Sequence, residues 1–257
     1  MEKKLILGAI AGDIIGSTYE FNSTKNYNFQ LLTDSSVYTD DTVMTVANAD
    51  WLVTSDSLKG IMLDFGNRYT AGYGGWFMGW LWSENPQPYN SWGNGSAMRV
   101  SPVGWAFDTL EETLVAAKQS AEVTHNHPEG IKGAEATAVA VFLAKNKVDK
   151  SEIRKYIQEN YYDINYGLDF IRPIYVFDIT CLGTVPPAII AFLESTDFED
   201  AIRNAISLGG DSDTIAAITG SIAGAYYGVP KEIREEALSF LDEPLKAILL
   251  DFESRYV

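Results

Sequence analysis

The sequence predicts an all-α fold on three observations. Helical patterns of apolar residues, each about 10 to 18 residues long, recur along the 257-residue chain. Alternating apolar and polar runs are almost missing, and only Ile174 to Ile179 has strand-like content. Small residues recur at every fourth position in two of the helical patterns, Gly8, Gly12 and Gly16 in one and Ala216, Gly220, Gly224 and Gly228 in the other. Each interior glycine costs a helix roughly 1 kcal/mol against alanine, so a stripe of them implies close packing, here of the two helices face to face.

Each element follows from local signals. Leu5 to about Thr18 reads as a helix, and Asp13, one position off its stripe, reads as a structural acid bonded to a neighbouring helix end. Thr39, Asp40 and Asp41 precede a helix from Val43 to Val53, and Ser55-Asp56 cap another that runs to about Asn67. Ala71 to Trp76 is a glycine and aromatic loop, and Asn85-Pro86 leads into a second one ending at Arg99. Asp108-Thr109 open a helix to about Val123, which delivers Thr124-His125-Asn126-His127-Pro128 with the chain's two histidines. That pair reads as hydrogen-bonded structure at a helix junction rather than a zinc site, since no cysteine or acid stands at zinc-like spacing. Further helices are expected at Pro128 to about Ala144, Asp149 to about Tyr161, Pro187 to Glu194, Asp197 to Leu208, Ile215 to Tyr227, Lys231 to Leu241 and Pro244 to about Tyr256.

No linker, repeat or low-complexity run divides the chain, so residues 1–257 read as one compact multi-helix domain. With 46% hydrophobic residues it can bury a large core. A net charge of −16 excludes nucleic acid and anionic membrane as partners, because both need a basic patch. A phosphate-bearing small ligand would instead be held by backbone N–H groups and helix N-termini. The single cysteine, Cys181, excludes an internal disulfide and reads as a small core residue in a reducing compartment. Asp13 interrupts the apolar run Leu5 to Ile15, no cleavage pattern follows, and no uncharged run approaches the ~20 residues of a membrane span. The protein is therefore expected in the cytoplasm.

Two stretches share one grammar. Tyr38-Thr39-Asp40-Asp41-Thr42 and Gly209-Gly210-Asp211-Ser212-Asp213-Thr214 each set two aspartates and threonine at the start of an apolar helix. Singly, each reads as a helix cap with an acidic first turn. Together with Glu20 they read differently. Continuing the first glycine stripe by one turn reaches Glu20, and continuing the second backwards reaches Ser212, so antiparallel packing brings Glu20 to Asp211 and Asp213. Five carboxylates with the hydroxyls of Thr39 and Thr214 form an all-oxygen set suited to Mg, Mn or Ca rather than zinc. Paired hard cations activate water and orient substrate oxygens, so hydrolysis of a glycosidic bond and of a phosphate ester both stay open at this point.

These motifs resemble those of the ADP-ribosylglycohydrolase family, which includes dinitrogenase-reductase-activating glycohydrolase. The resemblance covers nearly the whole chain through Gly12-Asp13-Ile14-Ile15-Gly16 with Glu20, Tyr38 to Thr42, Gly93-Asn94-Gly95-Ser96-Ala97-Met98-Arg99, Thr124-His125 and Gly209 to Thr214. It implies a compact all-α fold and a centre of two Mg2+ or Mn2+ ions bound by Thr39, Asp40, Asp41, Asp211, Asp213 and Thr214. It also implies release of ADP-ribose from an ADP-ribosylated protein or peptide by cleavage at the distal ribose. Glu20 matches the family's flexible catalytic glutamate, with Asp40 and Asp41 as the other candidates for proton transfer. Loop residues Gly72, Gly74 and Gly75, with Ser91, Gly93, Asn94 and Gly95, would hold the diphosphate. Trp92 would stack on adenine, and His125 matches a ligand-lining position. The family also contains crystallin-like members, so ADP-ribose binding or a structural role without hydrolysis is the alternative.

Overall fold

The computed structural model describes residues 6–256, so Leu5, the expected first residue of the opening helix, lies outside the described residues. Helix α1 spans Leu7–Ser17 and α2 spans Asp40–Thr54. A 22-residue connection that carries Glu20 joins them, running 18–39. Helix α2 ends on Ser55 in the left-handed conformation, φ 62°, and Ser57 rather than Ser55-Asp56 caps α3, Leu58–Arg68. The cap falls two residues later because Ser55 is already used to terminate α2.

Short helices α4 (Gly75–Leu81), α5 (Gly95–Met98) and α6 (Ser101–Ala106) occupy ground to which the sequence reading assigns loop or no element. Burial of Phe77, Trp80 and Leu81 against the core overrides the poor propensity of the glycine-rich α4. Helices α7 (Leu110–Glu122), α8 (Pro128–Lys145) and α9 (Lys150–Asn160) match the expected elements, and α10 is a single turn at Leu168–Ile171. Residues Ile174 to Ile179 form no strand. Ile174 closes the turn after α10 and residues 175–179 are irregular, followed by an isolated bridge between Gly93 and Thr180.

Helix α11 (Cys181–Leu193) begins six residues before the expected Pro187 and contains Pro186 and Pro187 within it. A proline at 187 leaves the Gly183 carbonyl without its helical donor, and the phenol of Tyr175 donates to that oxygen at 3.0 Å. Helices α12 (Phe198–Ile206), α13 (Ser212–Tyr227), α14 (Lys231–Phe240) and α15 (Glu243–Tyr256) complete the chain. No helix among the described residues is long and apolar enough to cross a membrane.

The glycine stripes meet as the sequence predicts. A Cβ at Gly8 would stand 2.2 Å from the Gly220 carbonyl oxygen, one at Gly12 2.0 Å from that of Ala216, and one at Gly16 2.5 Å from Asp213 Cα. Rising numbers in α1 pair with falling numbers in α13, so the helices are antiparallel and touch backbone to backbone. Almost all of α13 is buried. This packing fixes the start of α13, and hence its acids, against the end of α1. Cys181 is fully buried, and its thiol donates to the Gly93 carbonyl at 3.0 Å.

Candidate metal centre and ligand cavity

Three chain segments converge where α1 ends and α2 and α13 begin. Asp13 points from α1 at the first turn of α2. Its carboxylate accepts from Thr39 N at 2.9 Å, Thr39 Oγ1 at 2.7 Å, Thr42 N at 3.1 Å and Thr42 Oγ1. Four donors and the positive end of the helix dipole compensate its burial, the structural role that the sequence suggests. Burial pushes its carboxyl up and the hydrogen bonds draw it back.

That arrangement leaves the acids of α2 unspent. Thr39 caps the helix, its Oγ1 accepting from Asp41 N at 3.2 Å. Asp41 is 2% exposed; its Oδ2 accepts from Thr214 Oγ1 of α13 at 3.2 Å, and its Oδ1 is buried with no hydrogen-bond partner. Asp211 sits at the N-cap position of α13 but makes no side-chain cap bond there. Its Oδ2 accepts instead from Asn94 Nδ2, whose second partner is Thr184 Oγ1 at 3.1 Å. Gly209 and Gly210, φ 70° and 78°, give the turn that delivers it.

Carboxylate oxygens of Asp13, Asp41 and Asp213 approach one another within 4.8 Å, as do those of Glu20, Asp211 and Asp213. Desolvation first, and then the neighbouring acids, push Asp40, Asp41 and Asp213 well above the ordinary carboxylate range. Glu20, half-buried at the mouth, is pushed up to about 7 by burial and then by the charges of Asp211 and Asp13. No Lys or Arg forms an ion pair with any of these acids among the described residues. An orphaned buried carboxylate oxygen inside a crowd of unpaired acids and hydroxyls offers a donor set that suits a hard divalent cation. Asp13 braces that set, its Oδ2 taking three of the four hydrogen bonds and its Oδ1 one.

The acids floor a cavity of about 260 Å³. Gly72, Gly74, Gly75, Ser91, Gly93, Asn94, Gly95 and His125 line it together with Glu20, Asp40, Asp41, Asp211, Asp213 and Thr214. Two expected site residues stand apart. Thr39 is turned to Asp13 beneath the floor, and Trp92, 52% exposed, lies outside the lining with its ring 5.6 Å from that of His127. The neighbouring Gly93 pairs with Thr180 in an isolated bridge. His127 caps α8, its Nδ1 accepting from Glu129 N at 3.1 Å. Trp76, Tyr89, Phe177 and Ile179 supply the apolar wall that sequence reasoning missed. The apolar content of Ile174 to Ile179 was the available signal, since Phe177 and Ile179 of that run stay exposed at the cavity instead of entering a sheet.

Comparison with known proteins relates the chain to a family. The sequence model of the ADP-ribosylglycohydrolase family matches residues 3–251. The ADP-ribosylarginine hydrolase Tri1 of Pseudomonas putida strain GB-1 is 30% identical over 269 residues, an alignment covering 88% of this chain and 70% of the relative. The ADP-ribosylhydrolase ARH3 of Mus musculus is 28% identical over 308 residues, covering 87% and 83%. A solved structure titled ADP-ribosylglycohydrolase-related protein complex superimposes with a TM-score of 0.75 over 98% of this chain and 96% of its own, at 22% identity, a likeness of fold.

Proposed function

The chain belongs to the ADP-ribosylglycohydrolase family, and on that premise we propose that it hydrolyses the glycosidic bond at the distal ribose of an ADP-ribosylated protein or peptide, releasing ADP-ribose. The observation that carries the reading is the convergence of the α2 and α13 starts on one acid cluster with an unpartnered Asp41 oxygen at its centre. Asp40, Asp41, Asp211, Asp213 and Thr214, with Thr39 from beneath, would hold two Mg2+ or Mn2+ ions. Such ions, when bound, orient the ribose hydroxyls and lower the pKa of a water beside the anomeric carbon.

The protein's own groups supply the rest. Glu20, with a carboxyl near neutrality at the cavity mouth, takes a proton from the attacking water or gives one to the leaving group. Positive charge that develops on the ribose ring in an oxocarbenium-like transition state is stabilised by the surrounding carboxylates. Backbone N–H groups of the Gly72–Gly75 and Ser91–Gly95 loops receive the diphosphate, which suits a chain of net charge −16 that offers no basic patch. Phe177 and Ile179 give the cavity mouth an apolar edge.

Peptides ADP-ribosylated separately on arginine and on serine, incubated with the protein and Mg2+, test the reading and the linkage together. Release of ADP-ribose is expected from at least one of them, and it should vanish on chelation and in Asp40→Ala and Asp213→Ala. Undiminished release by either variant would sink the proposal.

A further inference from the structure

The stretch that carries Glu20 is fastened to the rest of the chain at few points. Before it, Thr18 Oγ1 lies 3.0 Å from Thr33 Oγ1 and 3.1 Å from Ser36 Oγ, and the Tyr19 carbonyl accepts from Ser212 Oγ at 3.3 Å. After it, the Tyr27 phenol donates to Asp200 of α12 at 2.7 Å, and the Phe29 carbonyl accepts from Arg203 at 2.8 Å. Between these anchors most of residues 20–26 are exposed, Phe21 by 88%. Asn26 bonds only to Thr24 and Asn28 within the loop itself. Among the described residues, Lys25 alone ties the stretch to other elements by hydrogen bonds. Its Nζ donates to the Tyr175 carbonyl at 2.7 Å and to the Leu208 carbonyl.

No acid draws Lys25 there. It forms no ion pair among the described residues, and burial and then the charge of Arg172 lower its ammonium from the ordinary range. Its partners are carbonyl oxygens, one of them just past the negative C-terminal end of α12. The seat is a turn without side chains. A Cβ at Gly209 would run into Ser23 Oγ and stand 3.4 Å from Lys25 Nζ, and one at Gly210 would stand 2.7 Å from Tyr175 Cε1. The loop therefore lies on one glycine and Tyr175 on the next, and the ammonium joins both to the turn that delivers Asp211. We propose that Lys25 is a positioning residue, a latch that seats the Glu20 stretch on the Gly209–Gly210 turn and so keeps the Glu20 carboxylate against Asp211 and Asp213. Those three acids bring oxygens within 4.8 Å of one another in the latched arrangement.

The catalytic consequence rests on the preceding reading, whereas the latch does not. Nitroxides on Asn22→Cys and Lys118→Cys of the full chain with Mg2+, with Cys181 buried and left unlabelled, report the loop by pulsed dipolar spectroscopy. One narrow distance is expected, broadened in Lys25→Met and narrow again in Lys25→Arg, whose guanidinium can donate to both carbonyls. On an ADP-ribosylated peptide that the wild-type chain cleaves, Lys25→Met should lower kcat about tenfold, with Mg2+ affinity and the midpoint of chemical denaturation held. Lys25→Arg should recover most of that loss. A Lys25 that only supports the end of α12 would lower the denaturation midpoint and leave kcat alone, and that result overturns the proposal. So does a distance that stays narrow in Lys25→Met, or one that broadens with kcat unchanged. If the wild-type chain cleaves no peptide while Lys25→Met broadens the distance, the latch stands and the reading of function falls.

Discussion

The two helix starts that build the centre have the same residue grammar and opposite internal logic. At α2, Thr39 is a true side-chain cap and Asp13 satisfies the remaining donors with four hydrogen bonds, so Asp40 and Asp41 are released from structural duty. At α13, Asp211 occupies the cap position without capping; the start is held by Gly16 against Asp213 Cα and by Ser212 Oγ donating to the Tyr19 carbonyl at 3.3 Å. Capping and cation binding compete for the same oxygens. Much of the helix support comes from neighbours, Asp13 at α2 and close backbone packing at α13, where Asp213 Oδ1 itself accepts from Thr214 N at 2.9 Å.

The contrast is broken or sharpened by substitutions. Asp13→Ala should have the largest effect, about 4 kcal/mol in chemical denaturation, because it strands four donors in a buried site. Gly16→Ala should cost about 3 kcal/mol, since its Cβ would meet backbone that has no flexible end to move, and it should weaken cation binding by displacing Asp213. Asp213→Asn should act in the other direction, stabilising the metal-free chain at pH 8 by about 1–2 kcal/mol while abolishing the gain in Tm on adding Mg2+. A loss of metal-free stability in that variant would make Asp213 a structural acid like Asp13.

pH separates the same roles. A carboxyl whose folded pKa is raised binds more protons in the folded state, so it destabilises the metal-free chain above its folded pKa and that penalty fades as the pH falls. For Glu20 the window runs from about 7 down to the ordinary value of 4.5. Metal-free protein should therefore gain stability as the pH drops from 8 towards 5, and Glu20→Gln should flatten part of that rise. As the smallest effect, Ser57→Ala should cost about 1 kcal/mol by uncapping α3 and leave cation binding unchanged.

The legible parts of the sequence were those set by local rules. Glycine spacing gave the antiparallel α1 and α13 pair, and through it the meeting of Glu20 with Asp211 and Asp213. What escaped depends on distant partners. The start of α11 was hidden by Pro186-Pro187, and the Tyr175 phenol that relieves the interrupted helix lies outside it. The apolar segment Ile174 to Ile179 has strand composition, yet no strand pairs with it among the described residues, and its Phe177 and Ile179 line the cavity instead. Trp92 stands beside the glycines of the Ser91 to Gly95 loop, but its ring lies against that of the distant His127, outside the cavity lining.

Calorimetric titration of the metal-free chain with Mn2+ tests most directly whether the two helix starts form one centre. Two ions per chain are expected, with binding lost in Asp41→Ala on α2 and equally in Asp213→Ala on α13. Wild-type stoichiometry and affinity in either variant would contradict it.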